Sequence, residues 1–237
     1  MTASSDHTRA PEGGRREHRK RVTRRDLLAA GRRLFAEKGL YDSRIEDLSR
    51  RAGIAKGTLY GYFADKDDLI AAVVAQGFEE LLLEVDRAAH RAARRTEVLA
   101  RVLDAHLTFF AENPDLMRIF HQLRGVLKFG GNETRHLRDA LRGYIESLAG
   151  VLDRHRGAGR DQRKVALLAF GAISGITSVH TALGFPPPRG AARAELVRSL
   201  VAMVRSNEIE TGDCGAHLVR APRPRARRSS RKPRGTS

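Results

Sequence analysis

Side chains that donate hydrogen bonds are concentrated between residues 55 and 63. On a helix, Lys56 and Tyr60 lie four residues apart on one exposed row, and Thr58 and Tyr62 lie on another. Lysine ammonium and tyrosine or threonine hydroxyl groups donate to phosphate oxygens, and lysine also donates to guanine. The pattern predicts a helix whose outer face contacts a nucleic acid. An ordinary solvated helix face is the alternative.

Three further helices are predicted to position this segment. The first begins with a capping box at residues 23–26 and ends at Gly39. The second follows a box at residues 43–46 and ends at Gly53, where Ile54 supplies the apolar contact of a left-handed helix end. A third box at residues 65–68 begins a long helix that continues to about residue 90. Two short helices joined by a tight turn inside such a unit form a helix-turn-helix.

The segment RRDLLAAGRRLFAEKGLYDSRIEDLSRRAGIAKGTLYGYFADKDDLI resembles the DNA-binding domain of TetR-family transcriptional regulators, most specifically in AGIAKGTLYGYFADKDDL. The resemblance covers about residues 23 to 70. It implies a recognition helix in the major groove, the groove wide enough to admit an α-helix. By this resemblance, Lys56, Gly57 and Thr58 would approach bases, and Tyr60, Tyr62 and Lys66 would contact phosphates. The predicted DNA-binding residues are Arg44, Lys56, Gly57, Thr58, Tyr60, Tyr62 and Lys66.

Three residues depart from the family pattern and predict a weaker grip on DNA. Gly61 stands where the family usually has a side chain that reaches a thymine methyl or a phosphate. Tyr62 replaces a more common His, and Ala55 replaces a Ser or Thr whose hydroxyl could cap the helix. The N-terminal arm is expected to compensate by contacting adjacent DNA.

The net charge of +16 is carried mostly by the two ends of the chain. Residues 1–25 have eight Lys and Arg against three acids, and residues 217–237 have eight against none. Residues 26–70, by contrast, have eight of each sign. We therefore expect the arm to supply sequence-independent affinity by counterion release, and the recognition helix to supply register. The arm residues in this hypothesis are Arg15, Arg16, Arg19, Lys20 and Arg21.

Apolar residues between positions 26 and 206 recur every three to four residues and form no alternating strand pattern, which predicts an all-α protein. We expect an N-terminal tri-helical helix-turn-helix domain and a C-terminal helical bundle for ligand binding and dimerisation. Both tails are poor in large apolar residues, so they are predicted to be disordered. The predicted units are a basic arm at 1–21, a DNA-binding domain at 22–70 with its helix-turn-helix at about 44–63, an effector-binding and dimerisation domain at 71–206, and a basic tail at 207–237.

No charged residue occurs from position 165 to position 188, which is long enough to raise the question of a membrane span. Several Ser, Thr and His residues and the Pro186 to Pro188 run argue against a span. Small residues every three to four positions instead allow close approach of another helix, which predicts a buried dimer helix. The final helix would complete the interface. The predicted interface residues are Gly171, Ser174, Gly175, Ser178, Ala182, Leu196 and Leu200.

The resemblance also implies that the second domain binds a small-molecule effector, which shifts the long fourth helix and separates the two recognition helices of a dimer. Large apolar and aromatic residues could line the pocket, although plain core packing explains each of them too. No charged cluster lies among them, so the expected effector is largely apolar. The candidates are Phe109, Phe110, Met117, Phe120, His121, Phe129, Tyr144, Phe170 and Ile173.

Other functional classes find little support. The chain has no phosphate loop, no HExxH motif and no Gly-x-Ser-x-Gly elbow, so no enzyme, metal site or cofactor is predicted. The single Cys214 excludes a disulfide framework, and no secretory signal is visible, which together predict a cytoplasmic protein. The predicted function is a repressor that binds a palindromic double-stranded DNA operator as a homodimer. A non-specific nucleic-acid-coating protein that uses its basic tails is the alternative.

Overall fold

A computed structural model describes the backbone of residues 12–129, 134–156 and 161–209, and the side chains of residues 24–123, 134–156 and 161–206. Within these residues the chain is entirely helical and contains no strand, which confirms the all-α prediction. The helices are α1 (Glu12–Lys38), α2 (Ile45–Ala52), α3 (Lys56–Tyr60), α4 (Lys66–His90), α5 (Val98–Glu112), α6 (Pro114–Phe129), α7 (Arg135–Arg156), α8 (Gln162–Ala182) and α9 (Gly190–Ile209).

Helix α1 begins at Glu12, eleven residues before the predicted start at Thr23. The added segment is rich in Arg, Lys and Glu, whose unbranched side chains lose little rotamer freedom in a helix. Residues 12–21, which the sequence predicts as part of a disordered arm, lie within α1, while residues 1–11 lie outside the described part. At the other end α9 continues to Ile209, and the predicted tail from residue 210 onward also lies outside it.

The turn between α2 and α3 has the predicted left-handed helix end. Gly53 has a φ of 64°, a conformation that costs glycine nothing because it lacks a Cβ. The Ile54 amide donates to the Ser49 carbonyl at 3.0 Å, which closes the last turn of α2. These bonds stop α2 and start α3 within four residues, so the two helices are held at a fixed angle.

The capping predictions were right for α4 and wrong for α2. At α4, the Asp65 carboxylate accepts from the Asp68 amide at 2.7 Å, and the Asp68 carboxylate accepts from the Ala64 amide at 3.0 Å. At α2, Arg44 occupies the cap position without a side-chain bond. Ser43 is buried and its hydroxyl donates to the Gly39 carbonyl instead, so it closes the α1–α2 turn.

One continuous apolar core joins all the helices, from Leu27 on α1 to Val204 on α9. Helix α4 is central to it, because it packs against α1 at its beginning and against α5 and α7 along the rest of its length. Leu59 on the inner face of α3 is fully buried, and truncating such a Leu to Ala typically costs about 2–5 kcal/mol. The core thus fixes the orientation of α3 relative to α4.

Helix α8 is long and apolar enough to cross a membrane, the one such helix in the described residues. A core helix of a soluble protein passes the same test. Helix α8 packs against α5, α6, α7 and α9, so it is a member of the bundle. Only 28% of its apolar window is buried within the subunit, however, which leaves an apolar face at the surface.

Candidate nucleic-acid interface

The outer face of α3 is exposed along its whole length. Lys56, Gly57 and Thr58 are exposed, and the Tyr60 side chain is 45% exposed. On the inner side, Leu59 and Phe63 are buried in the apolar core. The predicted arrangement of a donor-bearing outer face and an apolar inner face is therefore present.

Lys56 does not extend freely into solvent. Its ammonium donates to the Glu46 carboxylate on α2 and lies 5.8 Å from the centre of the Tyr60 ring. The hydrogen bond with Glu46 raises the pKa of Lys56, and the same bond lowers the pKa of Glu46. Both groups are solvent-exposed, so the pair is easily exchanged for a nucleic-acid partner. The sequence interpretation had assigned Glu46 to a capping box and missed this contact.

Two tyrosines of the predicted set differ in their environment. The Tyr60 hydroxyl end is accessible, whereas Tyr62 is half-buried and its ring packs against the core. A tyrosine with a buried ring and a reachable hydroxyl offers a phosphate contact at a low entropic cost. Tyr62 thus occupies the position where the family more often has His and fills the space with apolar contact.

Lys66 is placed at the beginning of α4, where its ammonium donates to the Tyr41 carbonyl at 3.0 Å. This bond joins the start of α4 to the α1–α2 turn, and the ammonium keeps two further N–H donors. Tyr41 itself is 66% exposed beside it and was not predicted. Arg44 is exposed just before α2.

The two glycines of α3 and its end have different surroundings. A Cβ at Gly57 would meet nothing within 4 Å, so a nucleic acid can approach the backbone closely there. A Cβ at Gly61 would lie 3.2 Å from the Thr58 carbonyl oxygen, which is tighter than an ordinary contact. The missing side chain at Gly61 therefore also relieves crowding at the end of the helix.

The acidic side chains of the first helices are paired within the unit. Arg51 donates to Glu37 at 2.6 Å, and Lys38 donates to Asp47 at 2.9 Å, with Arg50 3.4 Å from the same carboxylate. These ion pairs place cationic and acidic side chains of α1 and α2 next to one another, which agrees with the near-zero net charge of residues 26–70.

Three hydrogen bonds join the helix-turn-helix unit to the rest of the chain. Arg32 on α1 donates to Glu80 on α4 at 3.2 Å and to Asn113, just before α6, at 2.9 Å. The Leu40 amide donates to the Gln122 side-chain carbonyl on α6 at 2.6 Å. Asn113 and Gln122 thus connect the region of α6 with α1 and with the turn after it.

Several predicted effector-site residues form a packed aromatic cluster. Phe78, which was not predicted, stacks on Phe120 with ring centres 4.6 Å apart and on Tyr144 at 4.7 Å, with Phe170 edge-on at 5.9 Å. The Tyr144 hydroxyl lies 2.6 Å from His106 Nε2. These rings contact one another directly. In the structure these residues therefore form packed core, which is the alternative interpretation of these positions.

His106 is fully buried and neutral. Its Nδ1 lies 2.7 Å from the Val102 carbonyl, so Nδ1 must carry the proton and donate, and Nε2 accepts from the Tyr144 hydroxyl. Burial lowers the pKa of His106 to about 4 and raises the pKa of Tyr144. The pair satisfies two polar groups inside an apolar core.

A cavity of about 200 Å³ opens between α5, α6 and α8, and two predicted residues, Phe110 and Met117, line it. Much of the remaining lining comes from the end of α8 and the loop after it, which the sequence did not single out because effector sites have no fixed motif. The other lining residues are Leu107, Ala111, Pro114, Arg118, Ile176, Thr177, His180, Thr181, Phe185, Pro187 and Pro188.

The remaining effector-site predictions are dispersed. Phe109 lines a separate groove of about 200 Å³ that also contains Arg101, Asp104 and Glu112. Ile173 is fully buried in the core. His121 is half-buried, and its Nδ1 has no hydrogen-bond partner among the described residues. The side chain of Phe129 lies outside the described part of the chain.

The predicted interface stripe lies largely on the exposed face of α8. Gly171 and Ala182 are exposed and Ser174 and Gly175 are half-buried, and a Cβ at either glycine would meet nothing within 4 Å. Ser178 is buried. On α9, Leu196 is half-buried, but Leu200 is only 4% exposed and packs into the core of its own subunit. The Leu200 side chain therefore faces inward and offers little surface to a second copy, and its assignment to the interface stays a prediction.

The fold and the exposed α3 face define a helix-turn-helix DNA-binding protein with a C-terminal helical domain. Residues 27–73 match the family model for bacterial regulatory proteins of the tetR family. The N-terminal part of the chain is therefore a DNA-binding domain of the tetR-family type.

Similar proteins share this organisation. The fatty acid metabolism regulator protein of Bacillus subtilis (strain 168) is 27% identical over 160 residues, which span 65% of this chain and 81% of that protein. A TetR-family transcriptional regulator from Pectobacterium atrosepticum is 26% identical, with a TM-score of 0.55 over 79% of this chain and 92% of its own. The fold also matches that of the Bacillus subtilis regulator FadR, solved in complex with stearoyl-CoA, with a TM-score of 0.61, 21% identity and coverage of 75% and 95%.

Proposed function

We propose that this protein is a cytoplasmic homodimer that represses transcription from a palindromic operator and is released by an effector with a long apolar chain. The observation that carries the DNA-binding part is the exposed α3 face, whose donors are fixed by a buried apolar inner face. One such helix reads only a few base pairs, so two copies related by a two-fold axis are needed for useful specificity.

The exposed apolar face of α8 supports dimerisation. Its glycines leave room for a second backbone, and Leu167, Val179 and Leu183 are exposed on the same helix or just after it. Exposed apolar area of this kind marks an interaction surface in a soluble protein. We propose that α8 and the outer side of α9 pair with the same helices of a second copy.

The proposed binding site for an effector of the acyl-coenzyme A class is the cavity between α5, α6 and α8. The lining is mostly apolar, and Arg118 and His180 lie at it as donors for an anionic headgroup. The similarity to a fatty acid metabolism regulator, and the stearoyl-CoA bound to the structurally similar FadR, favour this class.

The size of the cavity supports a mechanism of release. Pockets for drug-sized ligands have volumes of about 300–1,000 Å³, so a cavity of about 200 Å³ must widen to hold a long acyl chain. Widening would separate α6 from α8. Gln122 of α6 accepts from the Leu40 amide just after α1, and Asn113 just before α6 accepts from Arg32 on α1. The change at α6 would then shift α1 and α4 and alter the spacing of the two recognition helices. A coupling of about 1–3 kcal/mol is sufficient.

The test starts with in vitro selection of duplexes from a randomised pool by the full-length chain. A palindromic motif that survives excess random DNA supports the proposal, and enrichment of no motif supports the coating alternative. Stearoyl-CoA, coenzyme A and stearate are then added to the complex. Release by stearoyl-CoA alone supports the acyl-coenzyme A assignment, and equal release by coenzyme A contradicts it. The variant R118A should weaken the response without changing DNA affinity.

A further inference from the structure

Glu46 is the acidic residue that contacts the DNA-reading helix, and its carboxylate binds the first cation of that helix, Lys56. We infer that Glu46 is a specificity-determining positioning residue, which holds the Lys56 ammonium toward bases and restrains it from binding phosphates indiscriminately. The inference rests on the proposed role of Lys56 in reading the operator.

The chemistry of lysine gives the reason. An ammonium on a flexible four-carbon stem is a point charge that any phosphate attracts, and phosphate attraction carries no sequence information. A carboxylate beside it cancels that long-range attraction and repels phosphates. One ammonium N–H is used by Glu46, and the charge lies near the Tyr60 ring, which together limit the directions in which the other N–H groups point. Short-range donation to a guanine O6 or N7 is thereby favoured over non-specific contact.

The position of Glu46 separates it from the other acids of the unit. Glu37 pairs with Arg51 and Asp47 pairs with Lys38, and those partners lie on α1 and α2. Neither pair includes a residue of α3. Glu37 therefore provides a matched control: its neutralisation changes the net charge by the same amount and frees one cation of the same unit, but leaves Lys56 paired.

The experiment compares the variants E46Q, E46D, E37Q, K56Q and E46Q/K56Q of the full-length chain. Each is titrated with the duplex selected by the wild type and with a random duplex of equal length, at several salt concentrations. Loss of the Glu46 charge should tighten binding to random DNA about threefold to tenfold and increase its salt slope by about one. Affinity for the selected duplex should rise less or fall. The ratio of the affinity for the selected duplex to the affinity for the random duplex therefore decreases.

The controls decide whether Glu46 acts through Lys56. E37Q should leave the affinity ratio within about twofold of the wild-type ratio, because it alters a single surface contact that does not include Lys56. E46D keeps the negative charge and should therefore keep most of the wild-type ratio. In the K56Q background, adding E46Q should no longer change the ratio. Thermal unfolding of each variant checks that the fold is kept.

Equal ratios in E46Q and E37Q, or an effect of E46Q that persists without Lys56, would overturn the inference. A wild-type chain that enriches no sequence would instead overturn the proposed operator binding, so the two failures are distinguishable.

Discussion

The backbone amide of Leu40 donates a 2.6 Å hydrogen bond to the side-chain carbonyl of Gln122, although 82 residues separate them. Leu40 is buried just after α1, and Gln122 lies in the middle of α6. The contact satisfies a backbone donor just after the first helix of the DNA-binding unit by means of a side chain from the C-terminal helical domain.

Replacing Gln122 by Ala is expected to lower the free energy of unfolding by about 1–3 kcal/mol. The Leu40 amide would lose its partner in a place that is largely inaccessible to water. Denaturant titration measures the change. The matched control is Q76A, which removes an intrahelical contact with Glu80 at the partly exposed side of α4 and should cost less than about 0.5 kcal/mol. Equal effects of the two substitutions would contradict a special role for Gln122.

The His106–Tyr144 pair predicts a pH-dependent stability. Burial lowers the pKa of His106 to about 4 in the folded chain, below its ordinary value of 6.5. The unfolded chain then binds more protons between these values, so stability is fully present above pH 6.5 and is lost as the pH falls toward 4. The loss from this residue is about 3 kcal/mol. Urea unfolding at several pH values should show a steeper acid-side decrease for the wild type than for H106Q, whereas the exposed-site control H136Q should follow the wild type.

The hydroxyl of Tyr144 is expected to contribute separately. The substitution Y144F leaves His106 Nε2 without its donor and should destabilise the fold by about 1–3 kcal/mol at neutral pH. Y41F removes the same atom from an exposed ring and should change the stability by less than about 0.5 kcal/mol. Chemical denaturation of both variants compares them directly. A Y144F variant as stable as Y41F would show that the hydrogen bond contributes nothing.

A charge on the exposed face of α8 should disrupt the proposed dimer. The position of Gly171 is open, so G171E fits the single subunit but would place a charge between two apolar faces. Light scattering is expected to give half the wild-type mass, with an unchanged helical circular dichroism spectrum. Gly143 on α7 is equally open and exposed, and G143E should leave the mass unchanged. A G171E protein of wild-type mass would exclude this face as the interface.

Removal of the Lys66 ammonium should weaken DNA binding uniformly across sequences. Lys66 is assigned to phosphate contact and is held beside the α1–α2 turn by its bond to Tyr41. K66A is expected to reduce the salt slope of binding by about one, with the same proportional loss for selected and random duplexes. Fluorescence anisotropy at several salt concentrations measures both. The control R142A, on the exposed side of α7, should change neither the salt slope nor the affinity. A loss of affinity confined to the selected duplex would assign Lys66 to base reading instead.

Local structure near the DNA-reading unit could be read from residue types. Gly53 followed by Ile54 indicated the left-handed end of α2, and the Asp65 and Asp68 box indicated the start of α4, because both signals depend on backbone bonds within one turn. The box predicted at Ser43 failed because Ser43 is buried in the α1–α2 turn, where its hydroxyl donates to the Gly39 carbonyl, and Arg44 takes the cap position. A local signal is reliable only where no competing partner is brought within reach.

The sequence by itself determined the all-α class and the donor-bearing face of α3, since helical period and short-range capping are properties of neighbouring residues. Tertiary structure decided the partners. The pairing of Lys56 with Glu46, the inward direction of Leu200, and the joining of Phe78 with Tyr144 all depend on how separate helices pack. A spacing pattern states which residues share a face, but the packing of complete helices decides what that face meets.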